Sequence, residues 1–173
     1  HKMVEVIKLQ LDAGITKFKC ATIAEMEMVA SAGAKDVLLA YQPVGPNIDR
    51  MRQLQEKFPD TTFSAVVDDA GILQQISDAG LGLRLFVDVD CGLGRTGIDV
   101  GGTFDLCQAS AAAPNVEFVG LHVYDGQNHA ADPSDREEQF DNKDLYVRGP
   151  AESDDIDASQ YPTQSNAADS TSI

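Results

Sequence analysis

The sequence predicts an α/β protein in which parallel strands alternate with helices, and three observations carry that reading. Segments rich in β-formers begin near residues 17, 36, 61, 83 and 116. Each stretch between them carries a helical apolar repeat of about 10–15 residues, and a helical crossover makes successive strands parallel. Polar residues, glycine and proline gather directly after the strands, at Thr22, Gln42-Pro43, Asp68-Asp69, Asp90 to Arg95 and Tyr124 to His129. Ligands of parallel α/β folds bind at that carboxyl edge.

The elements follow in order. From Met3 to Ala13, Val4, Ile7 and Leu11 recur at helical spacing, and Gly14 stops the helix. Lys17 to Ala21 is a short strand, and Thr22-Ile-Ala-Glu25 is a capping box that opens a helix with Met26, Val29, Ala30 and Gly33 on one side. Asp36 to Tyr41 reads as a buried strand. Two prolines stiffen Gln42-Pro-Val-Gly-Pro46, and Asn47 is read as the cap of a helix whose apolar residues are Ile48, Met51, Leu54 and Phe58. Thr61 to Val67 is the third strand, followed by a helix through Ile72, Leu73, Ile76 and Ala79. Leu83 to Asp90 is the clearest strand; a glycine-rich turn at 92–97 and a helix carrying Phe104, Cys107 and Ala111 follow it, and Val116 to Tyr124 is the fifth. A closed eight-stranded barrel takes roughly 250 residues, so five strands read as part of a larger unit.

At 173 residues, 43% hydrophobic and 24% charged, the chain has the composition of one soluble globular domain. Its formal net charge of −15, from 13 Lys+Arg and 28 Asp+Glu, excludes a phosphate-backbone partner and an anionic membrane surface. Residues 131–173 hold 11 acidic and 3 basic side chains. The apolar pattern stops near Phe140, so 140–173 is read as an acidic, disordered tail and 1–139 as the folded domain. No apolar run approaches the ~20 residues of a membrane span, and no signal pattern opens the chain. Cys20, Cys91 and Cys107 stand far apart in an odd count, which points to a reducing compartment, the cytoplasm.

Two segments concentrate chemistry. Cys91-Gly-Leu-Gly-Arg-Thr-Gly97 contains a GxGxxG, but Asp88 and Asp90 precede it and would repel a dinucleotide pyrophosphate. What it offers is Arg95, a permanent cation placed after a strand, with an ion pair to Asp88 or Asp90 as the structural alternative. The Asp88/Asp90 pair could hold a divalent metal, but no histidine stands near it in sequence. In Gly120-Leu-His-Val-Tyr-Asp-Gly126, His122 and Tyr124 share a face with Gly120, while Val119, Leu121 and Val123 take the face toward the helical layer. A core histidine and a singly bonded phenol are the plain alternatives. Gln42-Pro43 is read as a rigid loop, His129 as exposed, and Lys17, Lys19 and Lys35 as surface charges.

Taken in order, His1-Lys2, Phe18-Lys-Cys-Ala-Thr-Ile-Ala-Glu25, Asp36-Val-Leu-Leu-Ala-Tyr-Gln-Pro-Val-Gly45, Val87-Asp-Val-Asp-Cys-Gly-Leu-Gly-Arg-Thr-Gly97 and Gly120-Leu-His-Val-Tyr-Asp-Gly126 resemble the D-threonine aldolase and D-serine dehydratase group. These are pyridoxal-phosphate enzymes built on the alanine-racemase-type barrel. The resemblance runs from residue 1 to about Gln139 and implies a partial (β/α)8 TIM-type barrel with about five of its parallel strands in this chain. It implies pyridoxal phosphate at the barrel mouth, with Arg95, His122 and Tyr124 lining the pocket. The Schiff-base lysine belongs to an RPHxKTHK-like segment and falls two positions before His1, so no catalytic residue is assigned here and Lys2 is the wrong lysine. It further implies a divalent metal held by a C-terminal domain that has no counterpart in the chain, and a homodimer in the full-length form. The function implied is part of a lyase or racemase acting on a small D-amino acid, inactive or nearly so as this isolated chain. A non-catalytic pyridoxal-phosphate carrier and an inert truncated fragment with open sheet edges are the alternatives.

Overall fold

A computed structural model describes residues 3–136 of the protein. Every strand and helix anticipated within that span forms, in the anticipated order. The elements are α1 (Val4–Asp12), β1 (Lys17–Cys20), α2 (Ile23–Ser31), β2 (Asp36–Leu39), α3 (Pro46–Lys57), β3 (Thr62–Val67), α4 (Ala70–Asp78), β4 (Leu83–Val89), α5 (Val100–Ala112) and β5 (Val116–Val123). The expected tail at 140–173 lies outside the described residues, as do His1 and Lys2. No helix among the described residues is long and apolar enough to cross a membrane.

Local chemistry sets the helix starts. Thr22 Oγ1 accepts a hydrogen bond from the Glu25 amide at 3.2 Å, and Glu25 accepts from the Thr22 amide, which completes the capping box of α2. Asp69 and Asp99 cap α4 and α5 by accepting from the amides of Ile72 and Gly102. Asn47 is not the cap of α3: Pro46 is already helical, and Gly45, at φ 53°, holds the cap position. Proline is favoured in the first turn because its missing N–H would find no intrahelical partner there.

The five strands form one sheet in the order β1-β2-β3-β4-β5, with all neighbours parallel. A doubly wound dinucleotide fold reverses its strand order partway across the sheet, whereas a barrel adds strands in sequence. The order here is that of a barrel segment. Val37, Phe63, Leu85 and Val87 are buried against the helices. There they meet Met26, Met51, Leu54 and Ile76, all at most 1% exposed. Each such side chain contributes roughly 1.5–3 kcal/mol on burial. Alternation turns Lys19, Leu38, Ser64, Phe86 and Asp88 to the opposite, inner face.

Two expectations about faces are corrected. In α5 the buried residues are Thr103, Leu106 and Ser110, while Phe104 is exposed. Small residues make up much of this helix, so apolar spacing does not define its face, and Thr103 is buried with its hydroxyl donating to Asp99 O at 3.0 Å. On β5, Leu121 and Val123 do point away from the inner face, yet they are 48% and 53% exposed because no helix among the described residues covers them. Val119 belongs to neither face and is the extra residue of a bulge.

Candidate functional site at the carboxyl ends of β1, β4 and β5

The glycine-rich segment after β4 folds back on its own strand. Asp90 N donates to Ile98 O and Ile98 N to Asp88 O, both at 2.9 Å, and Ile98 bridges in parallel to Val89. Gly97 permits this approach: a Cβ on it would lie 2.4 Å from the Asp90 nitrogen. The loop amides are already engaged. Gly92 N and Gly94 N donate to Asp90 Oδ1, at 2.9 and 3.0 Å, and Gly97 N donates to Asp68 Oδ2 at 2.8 Å. Amides pointed at carboxylates cannot cradle a pyrophosphate, so this GxGxxG is a strand-closing loop that presents Arg95. Gln42 is more than loop filling, since its Oε1 accepts from the Asp68 amide at 3.3 Å and ties the end of β2 to β3.

On β5 a register shift sets the inner face. Arg84 and Asp88, four apart on β4, face the same way, and their β5 partners are Glu117 and His122. Five residues apart, those partners would face opposite sides of a regular strand. The bulge at Val119 absorbs one residue, and Gly120, at φ +150°, carries the irregular backbone. Glu117 Oε1 therefore reaches Arg84 Nε at 3.4 Å while His122 Nδ1 reaches Asp88 Oδ1 at 2.6 Å.

At the mouth these pieces meet. Lys19 Nζ lies 3.2 Å from His122 Nε2 and 5.3 Å from the centroid of the Tyr124 ring. The Arg95 guanidinium stands 5.0 Å from the same centroid. Two cations thus share one phenol ring beside an imidazole, each contact contributing about 0.5–1 kcal/mol where exposed. Below the ring, a Cβ on Gly126 would collide with it at 2.3 Å, so only glycine fits under this ring position. Cys91 Sγ donates to Tyr124 O at 3.1 Å, and Gln127 Nε2 donates to Cys91 O at 2.8 Å, which tethers the segment after β5 to the loop after β4.

Arg95, His122 and Tyr124, anticipated from sequence, are brought together. Asp88 and Asp90 part company: Asp88 is 4% exposed and holds the imidazole, whereas Asp90 closes the glycine loop. Among the described residues Arg95 forms an ion pair with neither. Lys35 is a surface charge paired with Asp60 at 3.6 Å, and His129 is exposed. Lys19 is the residue the sequence reading missed. Its signal was the alternation of Lys17 and Lys19 with Phe18 and Cys20, which puts Lys19 on the face opposite the buried Cys20.

Comparison with known proteins accords with this geometry. Residues 1–152 match the alanine racemase N-terminal domain. The chain is 36% identical over 137 residues to 3-hydroxy-D-aspartate aldolase of Paracoccus denitrificans, covering 75% of this chain and 35% of that protein. It is 31% identical to D-threonine aldolase of an Arthrobacter species, over 73% of this chain and 34% of the relative. The crystal structure of D-threonine aldolase from Filomicrobium marinum superposes with a TM-score of 0.72 at 27% identity, covering 80% of this chain and 38% of that one. The chain spans about a third of the length of the curated relatives it matches.

Proposed function

We infer the role of this site from one premise: the chain belongs to the alanine racemase N-terminal domain family, whose enzymes use pyridoxal phosphate. We propose that the chain forms part of the barrel of a pyridoxal-phosphate-dependent enzyme acting on a small D-amino acid, of the kind cleaved by D-threonine and 3-hydroxy-D-aspartate aldolases. The observation that carries the reading is the meeting of Lys19, Arg95, His122 and Tyr124 at one strand edge.

These residues fit such a group. A flat, anionic heteroaromatic molecule calls for cationic donors at its oxygens and for aromatic surfaces beside its ring, and two cations, an imidazole and a phenol supply both. The inner face beside His122 also has room, since a Cβ on Gly120 would meet nothing within 4 Å. Arg95 would hold an oxygen of the cofactor through its planar fork, and His122 and Tyr124 would flank the ring. When bound, the cofactor supplies an electron sink for the charge released as a bond to the substrate α-carbon breaks. The chain's residues orient it and, through the Asp88–His122 pair, keep a defined donor and acceptor beside it. The isolated chain is expected to turn over little or no substrate, because it spans only about a third of the length of the aldolases it resembles. The cytoplasmic location rests on the odd, widely spaced cysteines of the sequence.

The test is an absorbance titration of the 173-residue chain with pyridoxal phosphate, followed by borohydride reduction and mass mapping. Saturable binding that Arg95→Ala and Tyr124→Ala each weaken supports the pocket. Unsaturable labelling scattered over surface lysines would overturn it.

A further inference from the structure

The inner face holds a contact that joins the first and last described strands. Lys19 on β1 and His122 on β5 are 103 positions apart, and the ammonium nitrogen stands 3.2 Å from Nε2 of the ring. An ammonium has three N–H donors and no acceptor, so at that distance Nε2 must be the acceptor. The ring's proton is then on Nδ1, which lies 2.6 Å from Asp88 Oδ1 and donates to it. The Asp88 side chain is 5% exposed and that of His122 12%, so their mutual contact is shielded from water, while the Lys19 contact at the other end of the ring is exposed.

We propose that Lys19 is a positioning residue that donates to Nε2 of His122 and so, together with Asp88 at Nδ1, orients the imidazole with its proton on Nδ1. The groups facing the ring are Asp88 from β4 and Lys19 from β1, with Tyr124 beyond β5 linked to both Lys19 and Arg95 through its ring. A proton on Nε2 would point at a cation, so the Lys19 ammonium and the Asp88 carboxylate favour the same tautomer from the two ends of the ring. Removing the ammonium leaves Nε2 without its donor, while Asp88 still accepts from Nδ1. The inference deepens the cofactor reading, since this imidazole is the one that flanks the proposed cofactor, and Lys19 engages the nitrogen that carries no proton.

The experiment is long-range proton–nitrogen correlation NMR on the 15N-labelled chain at neutral pH without cofactor, with His122 assigned through His122→Gln. The expected result is a protonated Nδ1 and an unprotonated Nε2 in the native chain. In Lys19→Met the Nε2 signal moves further from the protonated position, as that of an unprotonated nitrogen deprived of its donor does, and Lys19→Arg restores the native pattern. A native ring protonated at Nε2 overturns the proposal without any variant, and a Lys19→Met ring identical to the native one overturns it as well. The readout needs no cofactor, so its failure is distinct from failure of the pyridoxal-phosphate titration.

Discussion

Gly126 lies so close to the Tyr124 ring that a Cβ on it would sit 2.3 Å from Cε1 and 2.6 Å from the phenol oxygen. That contact explains why a glycine follows the tyrosine by two residues, and it makes Gly126 a determinant of where the phenol face points. In Gly126→Ala the half-exposed ring swings away from Lys19 and Arg95 at little cost to the fold. The expected outcome is pyridoxal-phosphate binding weakened several-fold, because the phenol no longer stands where it would flank the cofactor ring, with a loss of fold stability of no more than about 1–2 kcal/mol from the two ring contacts. An absorbance titration reads this, and a thermal melt should move by less than that of the next variant.

Gly97 meets backbone rather than a side-chain tip. Its φ is +105°, and a Cβ would lie 2.4 Å from Asp90 N and 2.7 Å from the Val89 carbonyl carbon, neither of which can swing aside. Gly97→Ala is expected to cost about 2–4 kcal/mol and to lower Tm on the order of 10 °C. Gly94, at φ +67° with open space around it, is the control: Gly94→Ala should cost only about 1–2 kcal/mol. Circular dichroism melts of the two variants make the comparison.

The Asp88–His122 pair should behave as a coupled unit. Truncation in His122→Ala leaves a buried carboxylate without its donor and is expected to cost about 3 kcal/mol. Combined with Asp88→Asn, the loss should fall short of the sum of the single losses by about 1–3 kcal/mol. Urea unfolding of the four species of the cycle tests this, and strict additivity would show that the two groups do not interact.

Glu27 joins α2 to α3. Its carboxylate pairs with Lys57 Nζ at 2.9 Å and with the Arg50 guanidinium. The Lys57 hydrogen bond, aided by both cations, holds the Glu27 carboxyl below its ordinary value of 4.5. A carboxyl depressed in the folded state binds fewer protons there than in the unfolded chain, so its stabilisation is present above pH 4.5 and is lost as the pH falls through the folded value. The stability difference between the native chain and Glu27→Gln should therefore be largest near neutral pH and close in acid. Added salt should shrink it, because the cations are partly exposed. Denaturant midpoints at neutral and acid pH, with and without salt, check both.

Where a few neighbouring residues settle the question, the reading of the sequence mostly matched the fold, the cap at Asn47 being the exception because Pro46 already opens α3. The capping box at Thr22 and Glu25 formed as anticipated, and Met26, Val29 and Ala30 were buried on the anticipated face. Arg95, His122 and Tyr124 were singled out by the family resemblance together with their place at the carboxyl edge of β4 and β5, and the structure sets Arg95 and Tyr124 against each other. The face of α5 was not legible, because its few large apolar residues, among them Phe104 and Leu106, stand among alanine, glycine, serine and threonine and form no single apolar stripe to read.

What the sequence by itself determined was the run of strands and helices and the edge at which chemistry collects, since hydrogen-bond period, caps and side-chain alternation act within one or two turns of chain. Only the tertiary structure decided which residues meet there. The bulge at Val119 sets Glu117 opposite Arg84 and His122 opposite Asp88, a pairing that shows only once β5 lies against β4. Lys19 reaches His122 across the inner face although β1 and β5 are the opposite edge strands of the sheet, and no local pattern encodes a contact across 103 residues. The glycines at 92, 94 and 97 read alike as a phosphate motif, and it is the carboxylates of Asp68 and Asp90, folded onto their amides, that assign them to holding a loop.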